Sequence, residues 1–149
     1  MSAPYSGRCA CGAIQYEIAS IPPRHFQFRC HCRDCQRASG SGYAPLLFME
    51  ATEFKLLQGE PTYFAVTGTT GNLIHRGFCV NCGATMFTKV DALPTFIAVM
   101  AASLDDPSLF TPSMEIWVPS AHPWDAMISG LPTFGEFPGY ADPDYADKL

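Results

Sequence analysis

Long hydrophobic runs and an excess of basic residues are both missing from this 149-residue chain. No stretch reaches the 18 or more apolar residues of a transmembrane helix, so we expect no membrane span. Lysine and arginine total 9 against 14 aspartates and glutamates, which gives a formal net charge of −5. Since nucleic-acid-binding proteins normally carry a basic excess, the charge balance disfavours a nucleic acid as partner.

A targeting segment is missing as well, because no charged leader precedes an apolar run near the N-terminus. We therefore expect a cytoplasmic protein whose thiols stay reduced. The chain has seven cysteines, an odd number that a framework of disulfides would leave with one unpaired thiol. The composition therefore favours metal ligation over disulfide bonds.

Long helical periodicity is also absent, and 13 prolines and 12 glycines divide the chain into short segments. Strand-like composition or alternation marks nine of these segments: 13–18, 26–30, 43–49, 54–57, 62–66, 73–78, 84–88, 96–101 and 114–118. Short helices are predicted at 33–39, 106–110 and 124–128. The pattern predicts a mostly β fold, with one domain over 1–135 and an acidic tail containing proline and glycine over 136–149.

All seven cysteines belong to three short clusters. These are Cys9 with Cys11, Cys30 with Cys32 and Cys35, and Cys79 with Cys82. Alternate residues of a strand point the same way, so a pair two residues apart offers both sulfurs to one ion. A tight turn does the same for a pair three residues apart. Such chelating pairs are typical of tetrahedral zinc sites.

The residues that follow the clusters indicate how they pair. Gly12 follows Cys11 and Gly83 follows Cys82, whereas Gln36 follows Cys35. A glycine there lets the chain turn with positive φ and direct amide N–H groups at the sulfurs. We therefore predict a structural zinc site, which would contribute on the order of 10 kcal/mol to folding. Its ligands are Cys9, Cys11, Cys79 and Cys82.

The middle cluster then supplies three thiolates, from Cys30, Cys32 and Cys35. Three protein ligands with one open position are the arrangement of a catalytic zinc, and the open position suits water or an incoming thiolate. A histidine could instead close the site, and the candidates are His31, His75 and His122. His31 lies between two ligands and should face away from the metal.

Four of the six arginines surround the middle cluster: Arg24, Arg29, Arg33 and Arg37. Arg33 or Arg37 could hold the carboxylate of a thiol substrate, while the alternative is that the arginines form a solvated rim. Trp124, with Tyr43 and Phe134, could wall a substrate pocket, although such aromatics are often core residues.

Three segments resemble the cysteine motifs of the glutathione-dependent formaldehyde-activating enzyme family, which includes centromere protein V. They read GRCACGAIQYE at 7–17, CHCRDCQRASG at 30–40 and RGFCVNCGA at 76–84. Pro123-Trp124 and the segment at 130–134 also look similar to that family. The resemblance implies an Mss4-like fold of short antiparallel sheets stapled by zinc. It also implies two zinc ions per chain, held as the two ligand sets described above.

The resemblance further implies a carbon–sulfur lyase that joins glutathione and formaldehyde to give S-(hydroxymethyl)glutathione. Our leading hypothesis is thus a zinc-dependent lyase or synthase for a small thiol, with glutathione as a candidate, and an aldehyde. The alternative is a non-catalytic zinc module of the same fold that binds another protein. A methionine sulfoxide reductase is disfavoured, since no cysteine follows Cys82. The sequence leaves the oligomeric state open.

Overall fold

A computed structural model describes residues 4–140, and the chain in it divides into two compact units. Within the described residues the first unit comprises 4–22 and 47–109, and the second comprises 23–46 and 110–140. No helix in this part of the chain has both the length and the apolar character to cross a membrane.

The described residues contain eleven short strands and one α-helix. In chain order the strands are β1 (Tyr5–Arg8), β2 (Gln15–Ile18), β3 (Gln27–Cys30), β4 (Ala44–Glu50), β5 (Phe54–Gln58), β6 (Thr62–Thr67), β7 (Leu73–Phe78), β8 (Thr85–Val90), β9 (Phe96–Met100), β10 (Met114–Ile116) and β11 (Thr133–Phe134). The helix α1 spans Arg33–Ser39. Single 3-10 turns occur at Arg24–Phe26, Ala51–Glu53, Ala101–Ser103, Pro107–Leu109, Val118–Ser120 and Pro138–Tyr140.

Antiparallel pairing organises the first unit. One sheet has the order β1-β2-β5, and β6 to β9 pair in sequence with their neighbours along the chain. The alternation of β2 buries Tyr16 and Ile18 completely. The Tyr16 ring packs against Phe54 at 5.5 Å and against Phe87 at 5.3 Å between centroids. Tyr16 and Phe87 are both fully buried, so this aromatic cluster belongs to the core of the first unit.

Parallel pairing organises the second unit, where β10 lies between β3 and β11. All residues of β3 and β10 are buried, as is typical of parallel strands. The helix α1 starts after Cys32, whose Sγ accepts a hydrogen bond from the Cys35 N–H at 3.3 Å. Phe137 packs against Phe28 at 5.4 Å and is buried. The middle cysteine cluster therefore follows directly from a buried strand.

The mostly β architecture agrees with the sequence prediction, and each of the nine predicted strands overlaps an observed one. The helix predicted at 33–39 coincides with α1, and the segment 106–110 contains only a 3-10 turn. The helix predicted at 124–128 is wrong, because this segment forms turns. Its polar groups bond instead to distant residues: Ile128 N–H donates to Glu115 at 2.7 Å, and Arg29 donates to the Ala126 carbonyl at 3.2 Å.

Strands β1 and β11 were not predicted, since β1 contains serine and glycine and β11 has only two residues. The boundary between a domain over 1–135 and a tail over 136–149 stays a prediction. Buried Phe137 lies within that predicted tail, and residues 141–149 lie outside the described part of the chain.

Candidate metal centres and active site

The first unit brings together the four cysteines predicted as a structural site. Cys9 and Cys11 lie in the turn between β1 and β2, and Cys79 and Cys82 lie in the turn between β7 and β8. Their four sulfurs all lie within 4.8 Å of one another. The Cys9–Cys11 and Cys11–Cys79 sulfur separations are 3.6 Å and 3.8 Å. Zn–S bonds of about 2.3 Å place the corners of a tetrahedron about 3.8 Å apart, so the group fits a zinc ion.

The two turns that carry this group have the predicted glycine geometry. Gly12 has φ of 79° and Gly83 has φ of 78°, as expected for knuckles that fold around a metal. The Ile14 N–H donates to the Cys9 sulfur at 3.3 Å, so a backbone amide points at a sulfur of this group. The Asn81 side-chain amide also donates to the Cys11 sulfur at 3.2 Å.

Backbone hydrogen bonds also change the pKa values of the thiols in this group. N–H groups of Ala84 and Cys11 donate to Cys82 and lower its pKa to about 6. Burial acts to raise the pKa of Cys9, but hydrogen bonds from Ile14 and the neighbouring thiols leave it lowered on balance. Two of the four candidate ligands thus favour the thiolate form that a metal requires.

The second unit brings together the three cysteines of the middle cluster. Cys30 ends β3, Cys32 caps α1 and Cys35 lies in the first turn of α1, and their sulfurs are within 4.8 Å of one another. Cys30 and Cys35 are buried, whereas Cys32 is half-buried. Hydrogen bonding with Cys32 and Cys35, together with burial, raises the pKa of the Cys30 thiol well above its usual range. A metal ion here could approach from the Cys32 side.

None of the three candidate histidines joins this cysteine group within residues 4–140. His31 is fully buried and both of its ring nitrogens face carboxylates. His75 belongs to the first unit and lies 2.8 Å from Asp91. The Nε2 atom of His122 is 2.8 Å from the Gln36 side-chain oxygen. Among residues 4–140, the three cysteine sulfurs therefore form a group that no histidine or carboxylate joins as a fourth member.

A buried network of polar and charged side chains adjoins the middle cluster, and its acidic members, Glu115 and Asp125, are not among the predicted site residues. His31 Nε2 lies 3.0 Å from Glu115, and His31 Nδ1 lies 2.7 Å from Asp125. Arg29 pairs with the same two carboxylates, at 2.9 Å and 3.3 Å. Both ring nitrogens of His31 thus face carboxylate oxygens, and Arg29 and His31 share the same two carboxylates. Such partners are needed here, because an unpaired buried charge is costly.

A signal for this network exists in the sequence. Glu115 stands between Met114 and Ile116 in an apolar strand, and a glutamate at such a position is rarely buried without a partner. The partner could not be read from the pattern, because His31 is 84 residues away along the chain.

The residues predicted to bind substrate lie at the surface beside this network. Arg33 and Arg37 are exposed and one turn apart on α1. Arg33 donates to the Gln36 side-chain oxygen. Trp124 is 72% exposed, so it is not a core residue, and it stacks on His122 at 5.0 Å. Arg29 does not belong to a solvated rim, since it is buried and lies over the Tyr43 ring at 3.9 Å.

Comparisons with known proteins agree with the cysteine motifs. A Halomonas elongata protein named "Putative glutathione-dependent formaldehyde-activating enzyme" is 29% identical over 102 residues, which are 66% of this chain. The match spans 64% of the length of that protein. A crystal structure of a Rhodobacter sphaeroides protein shares the fold, with a TM-score of 0.56 and 21% identity over 87% of this chain and 98% of that one. The sequence model of the glutathione-dependent formaldehyde-activating enzyme family matches residues 4–120 of this chain. The chain therefore belongs to the glutathione-dependent formaldehyde-activating enzyme family.

Proposed function

We propose that this chain is a zinc-dependent carbon–sulfur lyase or synthase that joins a small thiol, such as glutathione, to an aldehyde, such as formaldehyde. One observation carries the proposal: Cys30, Cys32 and Cys35 form a compact three-sulfur group without a fourth ligand among the described residues. The half-buried Cys32 gives that group a side open to substrate. The name of the matching family supports glutathione and formaldehyde as the pair that reacts.

Zinc bound at the three cysteines would hold the substrate thiol as a thiolate and so supply the nucleophile at neutral pH. Three thiolates and Zn²⁺ together would carry a net charge of −1, which the neighbouring arginines would offset. Arg33 and Arg37 would bind a carboxylate of the thiol substrate, and their exposure on the helix that carries Cys35 supports this role. Trp124 would cover the apolar part of the same substrate.

The four cysteines of the first unit would hold a second, structural zinc, because their sulfur separations fit a closed tetrahedron. That ion would connect the β1–β2 turn with the β7–β8 turn. The two ions would thus have separate roles, one in folding and one in catalysis.

Substitution of one ligand in each group tests this division. Serine at Cys32 keeps a side-chain oxygen that can cap α1, so Cys32→Ser is expected to keep the fold. This variant should bind one zinc fewer and lose the formation of S-(hydroxymethyl)glutathione. The matched control, Cys82→Ser, should lose the other zinc and unfold at a lower temperature than Cys32→Ser. Metal analysis, thermal unfolding and NMR of the thiol product measure these outcomes. Unfolding of Cys32→Ser would contradict the division.

A second candidate function is a zinc module that binds another protein, and one observation favours it. Large apolar side chains are exposed on β5, β6 and β7: Leu56, Leu57, Tyr63, Phe64 and Leu73. Phe64 is the most exposed of these, at 65%. Titration of the cobalt-substituted protein with glutathione distinguishes the two functions. A change in the cobalt spectrum supports the enzyme, and an unchanged spectrum with two bound metals supports the module.

A further inference from the structure

We propose that His122 is the residue that transfers the proton in this site and that its Nδ1 atom carries the exchanged proton. The inference deepens the proposed function and rests on it. It follows from two steps: hydrogen bonds fix the side-chain amide of Gln36, and that amide then fixes the tautomer of His122.

The amide of Gln36 has only one orientation that satisfies its neighbours. Gln36 Nε2 lies 2.7 Å from the carbonyl oxygen of His31 and 2.9 Å from that of Ser120. Carbonyl oxygens only accept, so the atom facing both of them must be the NH₂ group. Gln36 is buried, and exchange of its amide atoms would set its oxygen against two other oxygens. The Gln36 Oε1 atom is therefore an acceptor directed at its remaining neighbours.

That acceptor determines the tautomer of His122. His122 Nε2 lies 2.8 Å from Gln36 Oε1 and must donate to it. Arg33 Nη1 donates to the same oxygen, and its 3.3 Å separation from His122 Nε2 is longer than the 2.8 Å contact of Nε2 with Gln36 Oε1, which therefore sets the tautomer. Nε2 therefore carries the hydrogen, and in the neutral ring the lone pair is on Nδ1.

The rest of the environment holds the ring in place. The His122 ring is half-buried and stacks on Trp124 with an angle of 10° between the planes. The loop that carries both residues is fixed at Asp125, which bonds to His31. Gln36 follows Cys35 along the chain and also donates to the backbone carbonyl of His31, which lies between Cys30 and Cys32. His122 is thus only two hydrogen bonds away from the segment that bears all three sulfurs.

The proposed step balances without any further reactant. The thiol gives its proton to His122 Nδ1 as the sulfur becomes a thiolate. A sulfur electron pair forms the bond to the aldehyde carbon, while the π pair of the carbonyl moves to oxygen. Nδ1 then gives the proton to that oxygen, which becomes the hydroxyl of the product. Proton transfer by a positioned side chain typically contributes about 10²–10⁴-fold to the rate.

The first test compares turnover in three variants of the zinc-loaded protein. The amide of glutamine can still donate to Gln36, so His122→Gln should keep the fold and lower kcat about 10²-fold or more. Added imidazole should restore part of the rate to His122→Ala, which a merely structural role would not allow. His75→Gln, in the first unit, is the control and should be as active as the wild type. Wild-type kcat in His122→Gln, or no rescue of folded His122→Ala, would overturn the inference.

The second test reads the tautomer directly and needs no turnover. Long-range ¹H–¹⁵N correlation spectra distinguish the Nε2–H form from the Nδ1–H form, and the His122 signals are those lost in His122→Gln. The Nε2–H form supports the inference and the Nδ1–H form overturns it. If the wild-type protein forms no thiol–aldehyde adduct, the proposed function fails whatever tautomer is found. If the wild type is active and His122→Gln is equally active, only the role of His122 fails.

Discussion

At the scale of single residues, the seven cysteines are chemically unequal although they have similar spacings. Cys82 is exposed and accepts amide hydrogen bonds that lower its pKa to about 6. Cys30 is buried against two other thiols, and its pKa is well above the usual range. Because the thiolate is the reactive form, these two residues should differ strongly in reactivity when no metal is bound.

In the metal-free protein at pH 7, we expect iodoacetamide to modify Cys82 first and Cys30 last. A thiol with a pKa of about 6 is mostly thiolate at pH 7, in a ratio of roughly ten to one. Its alkylation should slow as the pH falls below 6, where the thiolate is protonated. Peptide mass spectrometry over a time course measures both rates, and zinc should protect both residues. Faster modification of Cys30 would show that this assignment of acidity is wrong.

The buried charge network makes Glu115 more important for stability than any surface charge. Glu115→Ala leaves the buried guanidinium of Arg29 with one carboxylate fewer, removes a partner of His31 Nε2 and leaves the Ile128 N–H without its acceptor. We expect a loss of roughly 3–5 kcal/mol in the free energy of unfolding, measured by urea denaturation. Lys55→Ala removes the exposed pair with Glu17 and should change this free energy by less than about 1 kcal/mol. Equal effects would indicate that the network does not stabilise the fold.

At the scale of elements, the turn between β7 and β8 needs a glycine at position 83 because of its backbone conformation, and not because a side chain would lack room. A methyl group at Gly83 would meet no heavy atom within 4 Å, but the φ of 78° is unfavourable for residues with a side chain. A methyl group at Gly135 would also meet nothing within 4 Å, and Gly135 has no such φ. The two glycines therefore separate the effect of φ from the effect of volume.

We expect Gly83→Ala to destabilise the zinc-loaded protein by roughly 1–2 kcal/mol, the penalty of the left-handed conformation. Zinc affinity at the four-cysteine site should fall together with the stability, because the strained turn positions Cys79 and Cys82. Gly135→Ala should be neutral or slightly stabilising. Competition with a fluorescent chelator and thermal unfolding measure the two quantities. A neutral Gly83→Ala would mean that the knuckle can refold around a different turn.

At the scale of the whole molecule, each compact unit contains one cysteine group that could hold a metal ion. A metal that binds only the folded chain stabilises it in proportion to the logarithm of its concentration. Thiolate ligands are soft, so zinc should have this effect and magnesium should not.

We expect zinc at about 1,000 times its dissociation constant to add about 4 kcal/mol of stability for each occupied site. Chelation should remove this contribution and lower the melting temperature of the whole protein. Calorimetry across a series of buffered zinc concentrations tests the relation, with magnesium as the control ion. A melting temperature independent of zinc would exclude a structural role for the metal.

Much of the candidate site could be predicted because its ligands are close in sequence. The division into four and three cysteines depended on Gly12 and Gly83, and both have the expected positive φ. The helix α1 was predicted to the residue, since its cap and first turn come from the same short motif. The segment 124–128 has helix-forming composition, but tertiary hydrogen bonds to Glu115 and Arg29 replaced the helical ones.

The grouping of the cysteines and the turns that hold them could be predicted from local sequence, because chelation depends on geometry within a few residues. The contacts of His31 with Glu115 and Asp125, and that of Gln36 with His122, become visible only in the folded chain. These partners are 84 to 94 residues apart along the chain. Their meeting depends on the parallel register of β10 with β3 and on the path of the following loop. No local periodicity encodes that register, since it results from the packing of two buried strands.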